Sequence, residues 1–224
     1  MDCHAHDVHR PRRRLTLALS TVAAVLLSLI PWSGTAVAHG SVVDPASRNY
    51  GCWQRWGSDF QNPAMAQQDP MCWQAWQADP NAMWNWNGLY RNGSGGDFQA
   101  VIPDGQLCSG GRTESGRYDS LDTVGAWKTT DITDDFTVQL NDQASHGADY
   151  FQVYVTRQGF DPTTQALRWS DLELVTLTGE YGPSQNYAIP VSTSGYSGHH
   201  VVYTIWQASH MDQTYFLCSD VNFG

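Results

Sequence analysis

Two histidines stand where they could lend nitrogen to a metal ion. His39 follows Ala36-Val37-Ala38, a small-x-small sequence, and upstream lie Arg10, Arg12, Arg13 and Arg14 and an apolar run from Leu15 to Ile30. Basic, apolar and small residues in that order make a secretory leader, so residues 1–38 are expected to be removed by cleavage between Ala38 and His39. His39 then gains a free α-amino group. The amine and ring Nδ1 of one residue can close a six-membered chelate, which no internal histidine can do, and an α-amino pKa of about 7.7 makes its deprotonation by a metal easy. The second is His146, in Asp142-Gln143-Ala144-Ser145-His146-Gly147, between two predicted strands. One amine and two rings give three nitrogens with little carboxylate or thiolate, a set that suits Cu(II). Zinc would more usually find a fourth protein ligand.

The other reactive side chains fit less well. His199 and His200 are neighbours at a strand start, so their rings face opposite ways and cannot easily share an ion; both read as structural or surface residues. His210, one short loop before Tyr215, reads as a neighbour of the site or a surface residue. Asp142, Ser145 and His146 have the residue types of a hydrolytic triad, but there is no Gly-x-Ser-x-Gly elbow, and residues so close in sequence rarely meet as nucleophile and base. No spacing among the acids selects a glycosidase pair.

Elements able to position this chemistry follow from the pattern. Phe136–Leu140, Tyr150–Thr156 and His200–Trp206 alternate apolar and polar residues, with shorter candidates at Leu172–Val175 and Tyr215–Cys218. Short strands separated by turn signals, without a sustained helical period, predict an all-β sandwich. Ser41–Tyr50 reads as turn-rich. Beyond it, Trp53, Trp56, Trp73, Trp76, Trp84 and Trp86 are six of the ten tryptophans and mark a long, partly helical loop insertion, with one short helix opened by Asp69 and Pro70. Trp53, Trp73 and Trp76 read as a small core under that loop. Trp84-Asn85-Trp86-Asn87 alternates rings with amides, which stack on and hydrogen-bond to sugars, so Trp84, Trp86 and Asn87 are candidate polysaccharide contacts.

Composition narrows the partners. Loss of the leader's four arginines and two aspartates leaves 8 basic and 20 acidic side chains, a formal charge of −12. Nucleic acid and anionic membranes are poor partners for such a surface. Residues 39–224 have the size of one domain, the apolar leader is short for a membrane span, and the mature protein is expected to be a secreted, soluble monomer. Cys52, Cys72, Cys108 and Cys218 remain after cleavage, and an even number in an exported chain predicts two disulfides. Of the three possible pairings, Cys52 with Cys72 and Cys108 with Cys218 is preferred.

Several separated motifs, in order, then resemble one family. Ala38-His39-Gly40-Ser41-Val42, Ser47-Arg48-Asn49-Tyr50, Pro103-Asp104-Gly105, the His146 segment, Val202-Tyr203-Thr204-Ile205-Trp206 and Tyr215-Phe216-Leu217-Cys218-Ser219-Asp220-Val221 are similar to the bacterial lytic polysaccharide monooxygenases of auxiliary-activity family ten, once described as chitin-binding proteins. The resemblance spans the whole mature chain. It implies an immunoglobulin- or fibronectin-like sandwich with a flat face holding one copper ion between His39 and His146. It also implies Tyr215 beside the axial copper position, where many relatives have Phe and where a one-residue slip would substitute Phe216. Ala144 then shapes the other axial side, Trp206 packs beneath the histidines, and Gln213 sits where relatives carry Glu, Gln or Asn. The implied reaction takes electrons from an external small-molecule or protein donor and uses hydrogen peroxide or dioxygen to oxidise C1, or also C4, of glycosidic bonds in crystalline chitin or cellulose. Two other classes keep their own expectations. A non-catalytic polysaccharide-binding protein would bind chitin indifferently to copper and ascorbate, and a copper carrier would bind metal but no polymer.

Overall fold

The computed structural model describes Met1 and residues 39–224, so the expected leader and its cleavage point lie outside the described residues. Strand β1 (Gly40–Asp44) opens the fold, followed by β2 (Tyr90–Asn92), β3 (Thr130–Ile132), β4 (Asp135–Asp142), β5 (Tyr150–Thr156), β6 (Leu172–Leu177), β7 (Asn186–Ser192), β8 (Gly198–Ala208) and β9 (Gln213–Phe223). One sheet has the order β1-β4-β7. The other runs β2-β9-β8-β5-β6, with β3 pairing parallel to β9. This is the sandwich predicted from the alternation.

Burial explains why β8 and β9 read as nearly continuous apolar runs. One face of this hairpin packs Val202, Trp206, Tyr215, Leu217 and Val221 against Val42, Val138, Leu140, Tyr187 and Ile189 of the smaller sheet. Its other face packs Val201, Tyr203, Ile205, Phe216 and Cys218 against the insertion that follows β1. A strand covered on both faces loses the polar half of its alternation.

The insertion carries short helices at Arg48–Trp56, Met65–Gln68, Pro70–Ala78, Asn81–Trp84 and Phe98–Val101. In the third of these Pro70 starts the helix and the Asp69 carboxylate accepts from the Cys72 amide, the capping expected from sequence. Trp76 is fully enclosed, with Trp53 and Trp73 partly buried around the same core. Cys52 is joined to Cys72 within the insertion, and Cys108 to Cys218 of β9. Arg48 lies buried over the Trp127 ring, 4.7 Å from its centroid, with its Nε 2.7 Å from Asp220 Oδ2. His199 Nε2 lies 2.9 Å from the other oxygen of Asp220. Burial pushes this carboxyl upward, but Arg48 and His199 outweigh it and hold Asp220 below the ordinary carboxylate range. Asp122, close by, has the reverse balance. Burial raises its carboxyl to about 6 despite bonds from Ser109 and the Cys108 amide and the charge of Arg48.

Two segments differ from the sequence reading. Ser41–Tyr50 is not simply turn-rich, because Gly40–Asp44 is a strand and Arg48–Trp56 a helix. The strand exists through distant pairing, Gly40 with Asp142 and Val42 with Leu140, and the helix lacks a side-chain cap from Ser47, so neither left a local signal. Strand β7 was hidden by Pro190. It pairs only with β4 and so forms the sheet edge, where proline is tolerated.

Candidate metal centre

The site is built where β1 begins, at the turn after β4 and on the β8–β9 hairpin. Gly40 pairs with Asp142, and the His39 carbonyl accepts the Gln143 N–H at 2.8 Å. The main chain of His39 therefore lies beside the turn that carries His146. A side chain at Gly40 has no room, since its Cβ would stand 2.7 Å from both Trp206 Cζ3 and the Asn141 carbonyl oxygen. The chain leading to His39 thus lies directly on the Trp206 ring, and glycine is needed for that close approach.

His146 is held by a buried acid. Asp142 accepts hydrogen bonds from the Ala144 N–H at 3.1 Å, from the His146 N–H, and from His146 Nδ1 at 3.0 Å. Ser145 and Gly147 take positive φ, 55° and 82°, to close this turn. Ser209 Oγ donates to the His146 carbonyl at 2.9 Å, and Gly147 receives the Tyr187 hydroxyl on its N–H and the Trp206 indole N–H on its carbonyl, both at 3.1 Å. The Tyr187 oxygen is the acceptor in the first of these. With Nδ1–H donating to Asp142, the ring presents the lone pair of Nε2. That Nε2 is buried and has no hydrogen-bond partner. An unpartnered buried nitrogen is costly unless something binds it. No serine hydroxyl reaches it, which removes the triad geometry from Ser145.

Beneath, Trp206 and Tyr215 are both fully buried and stack with centroids 4.3 Å apart and planes 23° apart. Burial raises the Tyr215 phenol well above its ordinary value, with the Asp142 charge adding to it, so the hydroxyl keeps its proton. It donates to Gln213 Oε1 at 3.4 Å, while Gln213 Nε2 donates to Asn92 at 3.1 Å. Phe216 points to the opposite face, edge-on to Phe98. Period-two alternation along β9 thus places Tyr215, rather than Phe216, on the side of Trp206. His210 lies over His146 with ring centroids 4.0 Å apart, and burial, then the His146 ring, lowers its pKa against the pull of Asp142.

The candidate sugar contacts separate. Asn87 adjoins the centre, with its carbonyl accepting the Gly40 N–H at 2.8 Å and its amide donating to Gln143 Oε1 at 2.7 Å. Trp84 remains 45 % exposed, edge-on to Phe60 and Trp76. Trp86 is a correction. Only 8 % exposed, it packs against Tyr50 and Trp53, so its ring fills the insertion and is not a sugar platform. In the sequence Asp142 stands out only as a residue type of a triad. Its signal as an orienting acid was its place two residues before Ala144 and four before His146, the spacing of a side chain that caps its own turn. The carbonyl of Asn87 left no signal.

Among the described residues, no three His, Cys, Asp or Glu side chains converge as a metal site. His146, set by a buried carboxylate, thus lies on a β-sandwich turn whose Gln143 N–H is bonded to the carbonyl of His39. Residues 39–221 match the family model described as lytic polysaccharide mono-oxygenase, cellulose-degrading, and the chain belongs to that family. It is 87 % identical to a lytic polysaccharide monooxygenase from Kitasatospora papulosa, with a TM-score of 0.83 over 83 % of this chain and 98 % of that one. It is 83 % identical to ScLPMO10B, solved in complex with zinc, with a TM-score of 0.83 over 83 % of this chain and 100 % of that one. Among curated proteins it is 33 % identical to the chitin-binding protein CbpD of Pseudomonas aeruginosa, over 91 % of this chain and 52 % of that protein. It is 32 % identical to a lytic cellulose monooxygenase of Streptomyces ambofaciens, over 95 % and 62 %. The chain spans about half to three-fifths of the length of these curated relatives.

Proposed function

We propose that residues 39–224, cleaved from their leader and exported, form a copper-dependent monooxygenase domain that oxidises glycosidic bonds in crystalline chitin or cellulose. The observation that carries this reading is the buried, unpartnered Nε2 of His146, aimed by Asp142 and lying on the turn that is bonded to His39. His146 would hold the metal through Nε2, and His39 through its amine and ring Nδ1. The family's occurrence with a bound metal supports a metal ion, and the all-nitrogen donor set favours copper over zinc. When bound, copper supplies one-electron redox chemistry that lets hydrogen peroxide or dioxygen, with an external reductant, oxidise a C–H bond beside the glycosidic oxygen.

The protein's part is positional. Asp142 fixes the His146 tautomer and ring direction. Trp206 supplies a rigid floor under the entry to His39. Tyr215 fills the space beside that floor with a phenol that stays protonated, while Gln213 holds its hydroxyl. Ala144, small and exposed, leaves the opposite side open to a polymer. Trp84 offers an exposed ring for stacking on sugar, and Asn87 a polar edge at the centre itself. Among the described residues no helix is long and apolar enough to cross a membrane.

The test is incubation of the cleaved, copper-loaded chain with β-chitin and with cellulose in the presence of ascorbate, reading soluble products by mass spectrometry. Oligosaccharides heavier by one oxygen, absent without copper or reductant, are expected, and the polymer that yields them is the substrate. Binding to polymer without such products would favour a binding protein, and tight copper without polymer binding a carrier.

A further inference from the structure

The peptide bond between His39 and Gly40 is gripped on both edges. Its carbonyl accepts from the Gln143 N–H and its N–H donates to the Asn87 carbonyl, each at 2.8 Å. The two gripping segments come from distant parts of the chain, the insertion and the β4–β5 turn, and they are tied to each other by Asn87 Nδ2 donating to Gln143 Oε1 at 2.7 Å. The insertion side is itself anchored, because Asn49 Nδ2 donates to the Trp86 carbonyl at 2.9 Å.

This closed arrangement has a geometric consequence. A peptide unit is planar and includes the Cα atoms at both ends. Fixing the plane therefore fixes the Cα of His39, and the Trp206 ring beneath Gly40 bars the plane from sinking. The amine of His39 then moves only by rotation about ψ of that residue, and its ring only by χ1 and χ2 in addition. Few rotors remain to be frozen when amine and ring close on an ion, so less entropy is lost on binding.

We propose that the Asn87–Gln143 amide pair is a latch that keeps both grips closed and so positions the amine of His39, making Asn87 and Gln143 positioning residues for the metal. The metal part rests on the proposed function; the grip itself does not. The latch is on the surface, and its loss loosens the grip without opening the core.

The experiment uses the chain cleaved before His39, metal-free and copper-loaded, as parent, Asn87→Ala, Gln143→Ala, the double variant and Asn87→Asp. Amide hydrogen exchange at Gly40 and Gln143 reads the grip, and copper titration with electron paramagnetic resonance reads the metal. Each alanine variant is expected to speed exchange and weaken copper about 2- to 10-fold, the effect of one net hydrogen bond, with a shifted copper spectrum. The double variant is expected to be no worse than either single one, the signature of a shared interaction. Asn87→Asp is expected to restore the parent values, because the Gln143 amide can turn and donate to the carboxylate. Unchanged exchange in the alanine variants, or additive losses in the double one, overturns the latch whether or not copper binds. A parent that shows the exchange pattern but fails to bind copper supports the latch and overturns the proposed function.

Discussion

On one face of the β8–β9 hairpin, Trp206, Tyr215 and Leu217 pack between two sheets; on the other, Tyr203, Phe216 and Cys218 pack against an insertion of short helices and loops. The first core is assembled by strand alternation alone. The second has little regular structure to organise it and is tied by two disulfides, one of them to the hairpin itself. The candidate metal centre stands on the first core, while the exposed Trp84 rides on the second. The candidate metal centre is thus mounted mainly on paired strands, and the exposed Trp84 on a stapled segment that reaches the His39–Gly40 peptide through Asn87.

The largest test of this contrast removes the staples. Replacing Cys108 and Cys218 by Ser releases a crosslink spanning 110 residues, worth about 4–5 kcal/mol by loop closure, whereas Cys52 and Cys72, 20 residues apart, are worth about 3 kcal/mol. Denaturant unfolding of the two pair variants should rank them in that order, and equal losses would mean that loop closure does not govern. Next, Trp206→Ala and Phe216→Ala should each cost about 3–5 kcal/mol of stability, but only Trp206→Ala should also weaken copper binding strongly. If both variants weaken copper alike, the two faces are not functionally distinct.

A third test concerns pH. The Asp122 carboxyl, raised by burial to about 6 against an ordinary 3.8, holds its proton more tightly folded than unfolded. The stability it contributes is complete below about pH 4 and is lost as pH rises through 6. Asp122→Asn keeps an oxygen for the Cys108 and Ser109 N–H groups, so it should raise stability at pH 7 by about 2–3 kcal/mol and flatten the profile between pH 4 and 6. A profile unchanged in that window would assign the pH response elsewhere. Smallest is Tyr215→Phe, which loses one long hydrogen bond of about 1 kcal/mol or less and should alter the copper spectrum. Phe216→Tyr should leave the spectrum alone and destabilise the protein by burying a hydroxyl.

The same contrast governs what could be read from the chain beforehand. Strands β4, β5, β8 and β9 were legible because a half-buried strand writes its period into the sequence, and the helix at Pro70 because its cap and proline are local. Strand β1 and the helix at Arg48 were not, since one depends on pairing a hundred residues away and the other on packing over Trp127 and Asp220. At the centre, His39, His146 and Trp206 were visible as residue types. The orientation of His146 by Asp142 was only half visible, and the grip on the His39–Gly40 peptide was invisible, because it is made by carbonyl and amide groups that every residue possesses. Trp86 misled for a related reason: ring and amide alternation describes a sugar platform and an aromatic packing layer equally well.

Under the proposed function, a free amine at His39 joins His146 in holding copper. Titration with Cu(II) of the chain beginning at His39, beside an otherwise identical chain that retains Ala38, tests it most directly. Binding weaker by orders of magnitude in the Ala38-bearing chain is the predicted result, and equal affinity in the two would contradict it.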